Sequence, residues 1–244
     1  MMTPTKITYM SKILVALSLA SLALAPPPSA LSAQVVVGNT PENSPFRDIA
    51  ATQRITLFAG YFKAQTDAIG AIPQSGPSLG VRYDLPVAGP ADFFARFERV
   101  SSHRESFDPT LPAATRSLGQ QNLGLYIGDL GFDLNLTGRR TWHGIIPAVG
   151  LAIGIASAPD NSTKDPYNFG TQFEFSGDVG IRFKPTNSYE LRLNATPTFY
   201  QNHYPLAYYA VPNGGTAILP TSTARSGFTH AIDYTAGLSI PLFR

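Results

Sequence analysis

The clearest pattern in the sequence is a regular alternation of apolar and polar residues over positions 172–184. The apolar residues share one parity and are Phe173, Phe175, Val179, Ile181 and Phe183. The opposite parity carries charged side chains, including Glu174, Asp178 and Arg182. Since successive side chains of a β-strand point to opposite faces, this segment is predicted to be a strand with one apolar and one ionic face. A polar turn at 185–188 and a second alternating segment at 189–200 predict a hairpin.

Similar segments recur along the chain and predict eight strands. Their approximate bounds are 55–64, 78–87, 92–102, 121–137, 144–156, 172–184, 189–200 and 227–243. The fourth changes phase midway, because Leu123, Leu125 and Ile127 share one parity whereas Leu130 and Phe132 share the other. A β-bulge near residues 128–129 would reconcile the two halves, since one extra residue reverses the facing of a strand. A turn there is the alternative, but it would give nine strands and place the C-terminus at the wrong end, so the bulge is preferred.

The connections between the predicted strands alternate in length. Short turns lie at 88–91, 138–142 and 185–188, and long loops rich in Gly, Pro, Asn and Ser lie at 65–77, 103–120, 157–171 and 201–226. An even number of strands, with long loops at one end and short turns and both termini at the other, is typical of bacterial membrane barrels. The sequence therefore predicts an all-β protein, an eight-stranded antiparallel up-and-down transmembrane β-barrel with four long extracellular loops and short periplasmic turns.

The predicted fifth strand indicates which face lies inside. From residue 148 to residue 156 one of its faces is formed by Ala and Gly, and small residues suit the crowded interior of an eight-stranded barrel better than a surface in water. We therefore place the Leu, Ile, Val, Phe and Tyr side chains outward and the charges inward. The predicted ionic network of the lumen comprises Arg82, Arg96, Glu98, Glu174, Asp178, Arg182, Glu190 and Arg192, with Asp84, Asp129, Asp133, Lys184 and Asp233 also facing inward. A filled lumen is preferred, and a narrow polar pore remains the alternative.

Aromatic residues are predicted to mark the two membrane interfaces, as they do in barrels of this kind. The short-turn interface is assigned to Trp142, Tyr189 and Tyr83, and the long-loop interface to Phe173, Phe199 and Tyr200.

The N-terminal region is predicted to direct export. Lys6 and Lys12 precede an apolar run at 13–25, which is too short to span a bilayer as a helix, and small residues follow. We expect a signal peptide at 1–33, a short extension at 34–53 and the barrel domain at 54–244. A membrane-anchor helix is the alternative, which the three prolines at 26–28 disfavour. The chain has no cysteine, and its net charge of +2 does not indicate a nucleic-acid partner.

These features, together with the final segment DYTAGLSIPLFR, resemble small bacterial outer-membrane β-barrel proteins such as the OmpA membrane domain and the OmpW group. The resemblance implies location in the outer membrane of a Gram-negative type envelope after signal-peptide export. It also implies three kinds of partner: outer-membrane lipids, the barrel insertion machinery and an extracellular ligand bound by the long loops. Barrels of this kind commonly end in Phe, and here Phe243 is penultimate. The OmpW group passes small hydrophobic compounds through an apolar interior, which the ionic lumen predicted here does not match.

Candidate chemistry in the sequence is sparse. Ser101 and His103 share a parity with Glu105 nearby, which is the one arrangement that fits a lipid-modifying barrel enzyme. The acidic segment at 160–165 could contact a cation, but a solvated loop is preferred because the central glycine of a calcium loop is missing. We predict no catalytic, cofactor or metal site. The expected function is that of a non-enzymatic outer-membrane barrel. A lipid A deacylase or acyltransferase is the alternative, and a soluble lipocalin-like carrier is a weaker one.

Overall fold

The computed structural model describes residues 44–159, 164–186, 188–211 and 215–242. The predicted signal peptide, most of the predicted extension, residues 160–163 of the acidic segment and Phe243 lie outside the described residues.

Ten strands run along the described chain. They are β1 (Phe46–Asp48), β2 (Arg54–Ala64), β3 (Gly76–Ala88), β4 (Ala91–Phe107), β5 (Ser117–Asn135), β6 (Arg140–Trp142), β7 (Ile145–Ala158), β8 (Gly170–Phe183), β9 (Glu190–His203) and β10 (Ser226–Pro241). Eight of them are long, whereas β1 and β6 have three residues each. A single turn of 3₁₀-helix at Leu206–Tyr209 is the helix described, and no helix in the described ranges is long and apolar enough to cross a membrane.

The eight long strands form a closed antiparallel barrel. Each pairs with the next along the chain, β5 pairs directly with β7, and β10 pairs with β2 to complete the ring. The short turns fall after β3, β5 and β8, and the long loops fall after β2, β4, β7 and β9. The predicted architecture and the alternation of loop lengths are confirmed. Closure matters physically, because it leaves no long strand with an unpaired edge.

The outer face of the barrel is an apolar belt. Large apolar side chains on all eight long strands are exposed, and Leu151, Leu79 and Leu193 reach 75%, 66% and 61% exposure. The inner face of β7 is formed largely by small residues, as predicted. A Cβ added at Gly150 would lie 2.1 Å from the Asp133 carboxylate, and one at Gly154 would lie 2.7 Å from the Asp129 side chain. These glycines make room for buried carboxylates on the neighbouring strand.

The predicted bulge in β5 is wrong. The pairing of β5 with β4 and β7 runs in continuous register through Gly128 and Asp129, so the strand neither bulges nor turns there. Leu123, Leu125 and Ile127 instead face inward, on the same side as Asp129. The change of phase in the sequence therefore marks a change in what fills the lumen, from apolar side chains near the long-loop end to ionic ones below.

An apolar plug closes the long-loop half of the lumen. It joins inward residues of the strands to residues of the loops that fold over the mouth, among them Phe62, Val100, Leu125, Ile72, Tyr167, Tyr208 and Leu219. Tyr200 also belongs to this plug and is fully buried, so its predicted place in the outer aromatic girdle is wrong. Phe173 is exposed, as a girdle residue would be, and so are Trp142 and Tyr189 at the other end.

Candidate functional site

The centre of the lumen is an ionic cluster built around Arg82. Its Nη1 donates to Asp178 Oδ2 at 2.6 Å, its Nε donates to Asp84 Oδ1 at 2.9 Å, and its Nη2 donates to Asp133. The guanidinium also stacks on Phe94, 3.6 Å from the ring centroid. Its five donors and fixed fork geometry allow one arginine to hold carboxylates from three different strands.

Arg192 binds the same three carboxylates from the opposite wall. Its Nη2 donates to Asp133 at 2.5 Å and lies 3.4 Å from Asp178, and its Nη1 donates to Asp84 at 3.2 Å. The two guanidiniums and three carboxylates are almost completely buried. Because the strands β3, β5, β8 and β9 all contribute, the central cluster ties the barrel wall together across its full width.

A second ionic group lies nearer the short turns. Asp92 accepts from Arg54 Nη2 at 2.6 Å and from Arg182 Nη1 at 3.0 Å, and Glu190 lies 3.7 Å from Arg182 Nε. Neither Arg54 nor Asp92 was among the predicted lumen residues. Asp92 shares its parity with Arg96 and could have been found from that pattern.

The third ionic group is strongly acidic and lies directly beneath the apolar plug. Its single base, Arg96, binds Asp129 through Nε at 3.1 Å and through Nη2. Three further carboxyl groups, those of Glu98, Glu174 and Asp233, are buried beside it. Both carboxylate oxygens of Glu174 are buried without a hydrogen-bond donor among the described residues. One arginine therefore faces four carboxyl groups in a site sealed from the long-loop side.

Substituting Glu174 tests this imbalance. We expect Glu174→Gln to raise the free energy of unfolding by roughly 1 kcal/mol, because it removes one of the four carboxyl groups that share Arg96 and its amide can donate to a neighbouring carboxylate. Urea unfolding in lipid vesicles measures the change. Asp178→Asn is the matched control and should destabilise the barrel, since Asp178 is paired with Arg82 and Arg192. A loss of stability in Glu174→Gln as large as in Asp178→Asn would contradict the acidic excess.

The eight predicted network residues all lie in the lumen, but in three groups. Arg82, Asp178 and Arg192 meet in the central cluster, and Arg182 and Glu190 lie in the group near the short turns. Arg96, Glu98 and Glu174 lie in the acidic group. Lys184, also predicted to face inward, lies beyond the end of β8 and is half-buried in the turn.

Charge is strongly partitioned between the inside and the outside of the barrel. Inside or buried beneath the loops are Arg54, Arg82, Arg96, Arg104, Arg182 and Arg192 with Asp84, Asp92, Glu98, Asp129, Asp133, Asp165, Glu174, Asp178, Glu190 and Asp233. Outside, among the described residues, are Arg47, Lys63, Arg99, Arg116, Arg139, Arg140, Lys164, Lys184 and Arg225 with only Asp48, Asp67, Glu105 and Asp108. The lumen therefore carries an excess of four carboxyl groups, whereas the outer surface carries an excess of five bases.

Little free space remains among these side chains. A cavity of about 20 Å³ lies beside the central cluster, lined by Thr56, Arg82 and Arg192 among others. A second of the same volume lies near the short turns, lined by Arg54, Asp92 and Arg182 among others. Since about 10–15 Å³ is needed for one water, each cavity is on the scale of a water site and neither is a channel.

Asp165 fastens the long loops over the mouth of the barrel. Its carboxylate accepts from Arg104 Nη1 at 2.6 Å, from the backbone N–H of Tyr167 at 2.9 Å and from the Tyr208 hydroxyl at 2.7 Å. It also accepts from Ser106 and the Phe107 N–H, both at 3.0 Å. Asp165 thus joins the end of β4, its own loop at 159–169 and the loop at 204–225. The prediction of a solvated loop missed this role, although Asp165 was the last residue of the acidic segment.

Burial raises the pKa of the Asp165 carboxyl, but the hydrogen bonds from the Tyr167 N–H, Arg104 and Tyr208 outweigh burial and hold the pKa below its ordinary value. For Tyr208 burial and the bond to Asp165 act together and raise the pKa of the phenol. Both shifts keep this contact in one charge state, with Asp165 ionised and Tyr208 protonated, at neutral pH.

The candidate Ser101–His103 pair lies on the outer face of β4. Ser101 is exposed and His103 is half-buried, and no hydrogen bond of either side chain is found among the described residues. In the described ranges no three His, Asp or Glu side chains are arranged to hold a metal ion.

Solved structures show the same fold. The crystal structure of Neisserial surface protein A is 12% identical, and the match covers 78% of this chain and 97% of that one with a TM-score of 0.51. The outer membrane protein OprG from Pseudomonas aeruginosa is 10% identical over 81% of this chain and 99% of its own, with the same TM-score. The fold is that of a small outer-membrane β-barrel. No protein-family profile and no curated protein matches the sequence.

Proposed function

We propose that this protein is a non-enzymatic barrel of the bacterial outer membrane that acts as a surface or structural protein and does not conduct solutes. The single observation that carries the proposal is the filled lumen: three ionic groups occupy one half and the apolar plug occupies the other. A pore needs a continuous wet path, and an apolar plug held by Asp165 interrupts it.

The apolar belt supports membrane insertion. Exposed apolar patches of this extent are not tolerated on a soluble protein, whereas a closed barrel with an apolar outside and a polar inside satisfies all its backbone groups in lipid. This arrangement disfavours a soluble lipocalin-like carrier. The long loops face the cell exterior in this proposal, and outer-membrane lipids surround the belt. Export by a signal peptide and assembly by the barrel insertion machinery belong to the same proposal.

The long loops are the surface on which an extracellular ligand would bind. The inner sides of these loops pack in the apolar plug, whereas Leu206 and Val211 of the last loop are about two-thirds exposed. A ligand would therefore meet the outer side of a packed cap of loops and not an open mouth. The lipid-modifying alternative gains no support from the geometry of Ser101 and His103.

Conductance in planar bilayers tests the proposal. We expect the refolded protein to give no stable conductance steps, because the plug leaves no aqueous path. Heat-modifiable migration on a gel shows that the barrel has folded, and detergent-dependent solubility shows that it belongs in a membrane. Reproducible single-channel steps from the folded species would overturn the closed lumen. Solubility without detergent would overturn the membrane location itself.

A further inference from the structure

A small ribbon of two strands extends the barrel wall at the short-turn end. Strand β1, which precedes the barrel in sequence, pairs antiparallel with β6, which lies in the turn between β5 and β7. Backbone bonds from the His143 N–H to the Pro45 carbonyl and from the Ile49 N–H to the Arg139 carbonyl, both 2.8 Å, close its two ends. We call these two strands, Phe46–Asp48 and Arg140–Trp142, the β1–β6 ribbon.

The ribbon is held against the barrel by a tight turn. Trp142 pairs with Ile145 of β7 across His143 and Gly144, which both have positive φ, 50° and 82°. Two-residue turns with positive φ at both positions match the twist of a hairpin, although a left-handed conformation is uncommon for a residue with a side chain. This turn places Trp142 beside Ile145 on the outer face of β7.

The ribbon continues the apolar belt. The register of the sheet places Phe46 opposite Trp142, Trp142 opposite Ile145 and Ile145 opposite Phe183. Side chains opposite one another lie on the same face, so this row belongs to the outer surface. Phe46, Trp142 and Phe183 are each 40–49% exposed. The outermost row of the apolar belt therefore continues from β8 across β7 onto the ribbon.

Four basic residues lie on the ribbon or beside it, and one of them, Arg140, lies on the face of Phe46 and Trp142, where it pairs with Asp48 at 3.1 Å. Arg47, Arg139 and Arg140 are exposed and Lys184 is half-buried, whereas Asp48 is the acidic residue among them. The Lys184 N–H donates to the Gly144 carbonyl at 2.7 Å, which brings this lysine beside the turn that carries Trp142. Aromatic rings set beside bases match the boundary of a bilayer, where rings lie at headgroup level and cations contact phosphates.

We infer that the β1–β6 ribbon is an interfacial anchor that binds anionic phospholipid headgroups of the leaflet at the short-turn end. This inference rests on the proposed membrane location. Phe46 and Trp142 enter the boundary of the acyl region, and the bases on the ribbon or beside it bind the phosphates. The segment that precedes the barrel is thereby held at the membrane surface.

Trp142 is the one tryptophan of the chain, so its fluorescence reports on the ribbon directly. The folded protein is placed in phosphatidylcholine vesicles that contain a small share of a labelled lipid. The label is a quencher near the headgroup end of the acyl chain, and it is carried either by phosphatidylglycerol or by phosphatidylcholine. We expect the labelled phosphatidylglycerol to quench Trp142 at least about two-fold more strongly than the labelled phosphatidylcholine, because the bases enrich anionic lipid locally. Iodide in the water should quench weakly.

Two variants complete the test. The double variant Arg140→Gln, Lys184→Gln should lose the preference for phosphatidylglycerol while Trp142 stays accessible to lipid quenchers. Trp142→Phe with Leu151→Trp moves the reporter to the middle of β7 within the belt, where quenching should show no preference between the two lipids. A folded, heat-modifiable barrel whose Trp142 is quenched by iodide and not by lipid would overturn the anchor, and so would equal quenching by the two lipids. Failure to fold in vesicles at all would instead count against the proposed membrane barrel.

Discussion

Replacing Arg82 with Met is expected to lower the free energy of unfolding by about 3–5 kcal/mol. The side chain is 97% buried and donates to Asp84, Asp133 and Asp178 at once. Its loss leaves three buried carboxylates to Arg192 alone. Urea unfolding in lipid vesicles, followed by the change in gel migration, measures the effect.

Two further variants show whether charge and geometry are responsible. Arg82→Lys keeps the charge but loses the fork that reaches three carboxylates, so an intermediate loss is expected. Arg140 lies 3.1 Å from Asp48, and both side chains are about half exposed. Because exposed ion pairs contribute little, Arg140→Gln should change the free energy of unfolding by less than about 1 kcal/mol. If Arg82→Met unfolds at the same urea concentration as Arg140→Gln, the central cluster does not hold the barrel wall together.

Replacing Asp165 with Ala is expected to release the loops from the mouth of the barrel. The change leaves the buried Arg104 without its carboxylate and removes the acceptor of Tyr208, at a local cost of about 3–5 kcal/mol. We expect the loops at 159–169 and 204–225 to be cleaved faster by protease and to exchange amide hydrogens faster, while the strands stay protected. Asp108→Ala is the matched control, because Asp108 lies in a neighbouring long loop and its carboxylate accepts from the N–H and the hydroxyl of the nearby Thr110.

The same contact gives a defined pH dependence. The pKa of Asp165 is lower in the folded protein than its ordinary value of about 3.9, so its contribution is complete above about pH 4 and is lost as the pH falls through the folded pKa. Cleavage of the two wild-type loops by an acid protease, relative to cleavage of the same loops in Asp165→Ala at the same pH, should therefore rise only below about pH 4. Equal cleavage of the Asp165→Ala and wild-type loops at neutral pH would show that the plug alone holds the loops.

Most of the architecture was readable from the sequence, because alternation and loop length are local properties. The strands, the closed barrel and the inward facing of the small residues on β7 follow from them directly. The bulge in β5 follows only if apolar side chains are assumed to face outward along the whole strand. That assumption holds only where lipid surrounds the barrel, and Leu125 near the long-loop end faces the packed loops instead.

The site was only partly predictable, because partners in the lumen come from strands distant in sequence. Parity places Arg82 inside but does not reveal that it reaches Asp133 and Asp178. Arg54 was missed because β2 has large apolar residues on both faces, Leu57 outward and Phe58 inward. The alternation of its residues therefore does not show which face is inside. Asp165 was missed because a loop carries no period, and its role depends on β4 and on a loop some forty residues later.

The partition of charge has a consequence for how the folded protein behaves in separations. The sequence has a net charge of only +2 and looks almost neutral. Folding, however, withdraws a surplus of carboxyl groups behind the barrel wall and leaves the surplus of bases in contact with the surroundings. A cation-exchange resin, a polyanion or an acidic surface therefore meets more bases than acids on the folded barrel, and we expect the folded protein to be retained more strongly than the unfolded chain.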